Sequence, residues 1–295
     1  MKNGKVHVAL IVVVLAAVLG VVSFSARSSN RGQAAQSKGD SKVKSTSRVA
    51  DRPNASTVAF AAAASQNASL RNELTWTFGG KQQRGWSLYE LLISKTLKTQ
   101  EDTGTSDFAS AVAAWQKRSG LSADGVLDED SLMRLVSQWQ SNRLKVRTPA
   151  TPDQLVLAPA ADFYDPSRAE ELRQVERNTY AAYKRMIAAA IADPTLKLTP
   201  ANKYFKIISA FRSREYQDEL RRRSPNAGSA GLAVNSPHFT GRALDIYVGG
   251  DPVDTKDSNR AIQVDTPAYR WLVRNAERFG FRPYFYEPWH WEYVG

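Results

Sequence analysis

The alternation of apolar and polar positions divides the chain into four stretches. Lys2 and Lys5 precede an apolar run from Val8 to Val22, and small residues follow at Ser23, Ser25 and Ala26. A basic start, an apolar middle and a small-x-small exit predict a secretory signal over residues 1–26. With Val6 and Phe24 the run nears the roughly 20 residues of a spanning helix, so an uncleaved membrane anchor is the alternative. Residues 27–66 are rich in Ser, Ala, Asn, Gly and Lys and carry few large apolar side chains. Such a composition predicts a flexible tether.

Helical spacing begins in the third stretch, residues 67–147. Leu88, Leu91, Leu92 and Lys95 predict one helix. A second is expected from Ser106 as N-cap to Gly120 beyond its end, with Phe108, Val112 and Trp115 inward. Asp124-Gly125 marks a turn. A third helix follows Asp128, with Leu132, Leu135, Val136 and Trp139 inward. Ahead of them, Trp76 to Gly80 and Gly85-Trp86 predict a strand and turn. Pro149, Pro152 and Pro159 then mark a domain boundary.

In residues 160–295 the signals for helices and short strands alternate. Asp165-Pro166 predicts a helix start, running to about Ala192. Phe205–Ala210 and Ala243–Val248 predict strands, with Ser213–Arg223 a helix between them. The stretch from Gly249 to Val264 is polar and is expected to be a loop flanking a cleft. Thr266-Pro267 opens a helix that Gly280 closes, and Phe281–Tyr286 and Trp289–Val294 predict closing strands. The fold class expected is α+β: a domain with a small antiparallel sheet, preceded by a three-helix module and the signal or anchor segment.

Composition narrows the chemistry. The formal charge is +11, but residues 1–60 hold nine Lys/Arg against two Asp/Glu, leaving thirty-one against twenty-seven for the rest. The basicity therefore belongs mostly to the leader and tether, and no Lys/Arg cluster on a folded element points to nucleic acid. The absence of cysteine excludes disulfides, Cys-ligated zinc, iron–sulfur clusters and a thiol nucleophile. Of three histidines, His7 lies in the leader, so histidine chemistry in the folded part rests on His238 and His290.

Both lie in local patterns. Ser236-Pro237-His238-Phe239-Thr240-Gly241-Arg242-Ala243-Leu244-Asp245 places a histidine in a loop and an aspartate on the next strand, where Ala243, Asp245 and Tyr247 share one face. Glu287-Pro288-Trp289-His290 supplies a second carboxylate and a second imidazole. Their odd separation puts them on opposite faces of an extended strand, so Pro288 is expected to bend the chain and let them converge. Catalytic zinc takes three N/O ligands and keeps one position open. His238, Asp245 and His290 are the candidate ligands for Zn2+, and Glu287 is the candidate general base. Spacing alone leaves a second reading open: two unrelated histidines, one in a loop and one packed beside Trp289 and Trp291.

Ser-x-His-x-x-Gly-x-Ala-x-Asp followed by Glu-Pro-Trp-His resembles the VanY-type D-alanyl-D-alanine carboxypeptidases. They belong to a wider group of zinc peptidases that includes D,D-dipeptidases and L-alanyl-D-glutamate endopeptidases. The resemblance implies the ligand and base roles above. It also implies that Arg212, in Ser209-Ala210-Phe211-Arg212-Ser213, holds substrate and stabilises the oxyanion. Phe211 stands where these enzymes usually have Tyr. Gln217 and Ser236 are implied as hydrogen-bonding partners of the peptide. Upstream, Ala114-Trp115-Gln116, Gly120-Leu121, Asp124-Gly125-Val126, Leu132 and Leu135 resemble the small peptidoglycan-binding module of wall hydrolases; a helical spacer without a ligand is the alternative. The function expected is an exported zinc D,D-carboxypeptidase that trims peptidoglycan stem peptides in the periplasm or cell envelope, held to the membrane if its anchor is not cleaved. The alternatives are an L,D-carboxypeptidase, an endopeptidase of the same chemistry, or a non-catalytic wall-binding protein.

Overall fold

The computed structural model describes residues 59–199, 201–224 and 233–295. The expected signal and most of the tether, residues 27–58, lie outside the described residues. No helix among the described residues is long and apolar enough to cross a membrane. All described residues fall in one compact unit, with eight helices and small antiparallel sheets.

Helix α1 (Ala61–Glu73) starts inside the stretch expected to be a flexible tether to residue 66. The run Ala61–Ala64 has high helix propensity, and Ala63 and Ala64 pack on Ala109. A hairpin follows, β1 (Thr75–Phe78) and β2 (Lys81–Arg84), turning on Gly79-Gly80, both at positive φ. Helices α2 (Glu90–Leu97), α3 (Ser106–Arg118) and α4 (Glu129–Ser141) complete the module. Thr105 caps α3 one residue before the expected Ser106, accepting from Phe108 N, and Asp128 caps α4. Gln116 reaches from α3 into the Asp124-Gly125 turn: it accepts from Gly125 N at 2.9 Å and donates to Val126 O at 2.9 Å. Asn67 of α1 clamps the same turn through Gly125 O and Leu127 N. These side chains hold the loop to the helices.

Strand β3 (Leu155–Leu157) pairs with β4 (Gln174–Glu176). The helix expected from Asp165 begins twelve residues later, as α5 (Arg177–Ile191). Asp165 accepts from Ser167 N and Oγ at 2.9 and 2.6 Å, which closes a local turn. Glu176 is the true cap and accepts from Asn178 N and Thr179 N. After β5 (Ile207–Ser209) come α6 (Arg214–Arg223), β6 (Ala243–Ile246), α7 (Asp257–Asp265), α8 (Pro267–Asn275), β7 (Phe281–Tyr284) and β8 (Glu287–Tyr293). Helix α7 occupies part of the stretch expected to be a loop. The principal sheet runs β5-β6-β8-β7, antiparallel throughout.

The module packs against the β7–β8 end of this sheet. Phe285 lies within 4.7 to 6.5 Å, centroid to centroid, of Phe78, Tyr89, Trp139 and Trp76. Buried Arg260 of α7 donates to Tyr89 Oη and Tyr286 O, and Lys95 of α2 donates to Val273 O. One apolar cluster therefore runs from Trp76 to Trp291.

Candidate metal centre and catalytic cleft

Three pieces of backbone bring the two sequence patterns together. Ser236 accepts from His238 N and starts a single 3-10 turn, Pro237–Thr240. Gly241 ends it at φ +64, where a Cβ would lie 2.9 Å from Glu176 N, so the reversal needs glycine. Strand β6 then carries Asp245, directly opposite His290 in the β6–β8 register. Residues paired across strands have Cβ atoms about 4.5–5.5 Å apart, so this register alone makes the two side chains neighbours. Glu287 joins them through an irregularity. Pro283 faces Trp291, yet Tyr284 faces Glu287, so β8 holds extra residues at 288–290. That bulge undoes the odd spacing and brings Glu287 Oε2 to 3.9 Å from His290 Nδ1.

His238 Nε2 lies 3.3 Å from Asp245 Oδ1, and His290 Nδ1 lies 2.9 Å from the same oxygen. The ligand atoms of the three residues are within 4.8 Å of one another, and all three side chains are buried. Their remote atoms are fixed. His238 Nδ1 donates to Ala210 O at 2.6 Å, and His290 Nε2 faces Glu292 Oε1 at 3.2 Å. This leaves Nε2 of His238 and Nδ1 of His290 aimed inward, the arrangement in which outer acceptors orient metal-binding imidazoles. Tetrahedral zinc with bonds of about 2.0–2.1 Å spaces its ligand atoms by about 3.3–3.4 Å. Two imidazole nitrogens and a carboxylate oxygen, at 3.3 and 2.9 Å, fit that demand in type and approximately in distance.

Arg212 closes the other side. Its guanidinium donates to Asp245 Oδ2 at 2.5 Å, to Ser209 Oγ at 2.9 Å and to Gln217 Oε1 at 3.4 Å. Gln217 is buried behind Arg212 and donates to Ala233 O, so it supports the arginine and is absent from the cleft lining. Ser236 does line the cleft, although its hydroxyl also caps the His238 turn.

Burial raises the Glu287 carboxyl to about 8, with nearby Asp245 adding to the rise and His290 and Arg212 opposing it. Burial lowers His238 to about 4, and the Arg212 charge pushes it further the same way. For His290, hydrogen bonds to Asp245 and Glu292 overcome burial and raise it. Asp245 is held well below the carboxylate range: burial opposes ionisation, and His238 and Arg212 outweigh it. Divergent proton affinities among adjacent buried groups are a signature of acid–base sites.

The cleft has a volume of about 520 Å³ and draws walls from both parts of the chain. Ser236, Glu287 and Trp289 face Phe78, Arg143 and Arg147 of the preceding module and segment. Three neighbours of the site escape the sequence reading. Glu292 was accessible to it, because residues two apart on a strand share a face and Glu292 follows His290 by two. Arg143 and Arg147 carry no local signal, since their partners are distant in sequence. Arg147 donates to Asn235 O, and no carboxylate among the described residues lies within ion-pair distance of it.

Residues 172–295 match the family model of VanY, D-alanyl-D-alanine carboxypeptidase. Among solved structures, the LdcB LD-carboxypeptidase is 24% identical, covering 50% of this chain and 70% of its own, with a TM-score of 0.36. A mutant of the vancomycin-resistance D,D-pentapeptidase VanY from a VanB-type cassette, in complex with Zn(II), is 22% identical over 53% of this chain and 89% of its own, TM-score 0.33. VanYB in complex with D-alanine-D-alanine is 24% identical over 48% and 86%, TM-score 0.28. No curated protein matches the chain.

Proposed function

We propose that the protein, whose residues 172–295 match the family model of VanY, D-alanyl-D-alanine carboxypeptidase, is a zinc peptidase that removes the terminal D-alanine from peptidoglycan stem peptides. The observation that carries this reading is the convergence of His238, Asp245 and His290 with Glu287 beside them in one cleft. His238, Asp245 and His290 hold the ion. When bound, zinc supplies Lewis-acid polarisation and lowers the pKa of water.

The chain's own groups do the rest. Glu287 takes a proton from the attacking water and gives it to the departing amine. Arg212, held in place by Ser209, Gln217 and Asp245, turns a fixed guanidinium toward the charge that develops on the carbonyl oxygen. Ser236 is placed to hydrogen-bond the peptide on the cleft wall. Residues 1–26 support export and residence in the periplasm or cell envelope, with the membrane as anchor if they are retained. The helical module, which forms part of the cleft, is the element we assign to contact with the wall polymer.

The test is mass spectrometry of muropeptides incubated with the zinc-loaded protein. Loss of one D-alanine from a pentapeptide is expected; loss from a tetrapeptide only, or cleavage of cross-links, reassigns the bond. Glu287→Gln is expected to retain zinc and lose about 10²–10⁴-fold in kcat. Undiminished hydrolysis by that variant overturns the mechanism.

A further inference from the structure

The buried carboxylate behind His290 is held by a segment about 150 residues earlier in the chain. Glu292 is fully buried on β8. Its Oε1 faces His290 Nε2 at 3.2 Å and accepts from Arg143 Nε at 3.1 Å and from the Arg143 Nη2 group. Its Oε2 accepts from the backbone N–H of Leu144 at 2.8 Å. Arg143 and Leu144 lie just beyond α4, the last helix of the module. The Arg143 guanidinium also stacks 3.9 Å from the centroid of Tyr284, whose ring meets His290 edge-on at 5.9 Å. Gln140, at the end of α4, accepts from Arg143 Nη1 at 2.9 Å and fixes the other side of the fork.

We propose that Arg143 is a positioning residue for the metal centre: through Glu292 it orients His290, so the helical module completes the zinc site. An unpaired carboxylate in this buried place would be costly. Paired to Arg143 and Leu144, it is rigid, and a rigid acceptor on Nε2 fixes both the tautomer and the ring plane of His290. The inference rests on the zinc reading above and concerns metal affinity, not the bond that is cleaved.

The experiment is zinc competition against a chromogenic chelator, with the visible spectrum of the cobalt-substituted protein as a second readout. The proteins are the full chain and its Arg143→Ala, Arg143→Lys, Glu292→Gln and Arg143→Ala/Glu292→Gln variants. The expected result is a zinc Kd raised about 10- to 100-fold in Arg143→Ala and in Glu292→Gln, with altered cobalt bands. The double variant should be little worse than either single one, because both break one chain of contacts, and Arg143→Lys should recover part of the loss. Glu292→Gln keeps the side-chain shape and so serves if Arg143→Ala fails to fold. Single variants with wild-type Kd and cobalt spectrum overturn the proposal, as do losses that simply multiply in the double variant. A wild-type chain that binds no zinc overturns the metal reading itself, an outcome separate from either.

Discussion

Replacing Phe285 with alanine removes the ring on which the module and the principal sheet meet. Phe285 is 2% exposed and is surrounded by Trp76, Phe78, Tyr89 and Trp139, at 6.5, 4.7, 5.3 and 5.8 Å. All four partners are aromatic rings, spread over three elements (β1, the start of α2, and α4), so the site cannot collapse by moving one side chain. The cost should therefore fall near the top of the Phe→Ala range, about 5 kcal/mol. Edge-to-face pairs with Phe78 and Tyr89 act in the same direction, by about 0.5–1.5 kcal/mol each, and are already part of that figure. In a folded unit of this size, 1 kcal/mol moves Tm by roughly 2–4 °C, so a fall of roughly 10–20 °C is expected. The assay is calorimetry in excess chelator, which removes stabilisation by bound metal. Wild type should melt in one transition and the variant in one lower transition. Two separate wild-type transitions, or a variant shift below about 3 °C, would refute the view that module and sheet share one core.

Arg212→Lys keeps the charge but loses the fork that Ser209, Gln217 and Asp245 hold; kcat should fall about 10²–10³-fold with KM changed less, and an unchanged kcat would exclude an oxyanion role. Gly241→Ala forces a left-handed φ of +64 on a side chain that would meet Glu176 N and Leu155 Cδ2 at 2.9 Å; denaturant melts should show a loss of about 1–2 kcal/mol or more, and zinc affinity should fall because the turn carries His238. The chelated protein should be most stable near pH 5–7. The carboxyl of Glu292 is lowered to about 2, burial being outweighed by hydrogen bonds from His290 and Arg143, and His238 is lowered to about 4 by burial. Both contributions are therefore lost as pH falls below the ordinary values of these groups, about 6.5 for the imidazole and 4.3 for the carboxyl. Glu287 and His290 are raised, so their contributions fade as pH rises through about 8 and 9. A Tm that climbs steadily from pH 4 to 9 would contradict these directions.

Short-range signals made the ligand set legible. His238 and Asp245 are linked by a turn and one strand, and the glycine between them is required by φ. Period-2 arithmetic fails at Glu287 and holds at Glu292, a residue the sequence patterns did not single out. The first failed because residues 288–290 of β8 have no partner on β7, although His290 still pairs with Asp245 of β6; this irregularity depends on which strand pairs with which and not on Pro288 alone. The second holds because β8 is regular from His290 onward, so Glu292 shares the face of His290. The helix misplaced at Asp165 shows the same limit, since Asp-Pro starts a helix or closes a turn, and here Ser167 satisfies the aspartate first. Composition had least to say about the segment from Lys145 to Pro159. Its prolines suit a free linker, yet Arg147 donates to Asn235 O, Ala150 N donates to Phe239 O at 2.8 Å, and β3 pairs with β4. A strap laid across a surface and a free linker need the same residues, because both avoid helix and neither builds a core. What distinguishes them is the set of acceptors they meet. Here those acceptors flank the His238 turn, so the segment that follows Arg143 and Leu144 braces the loop that carries the first histidine.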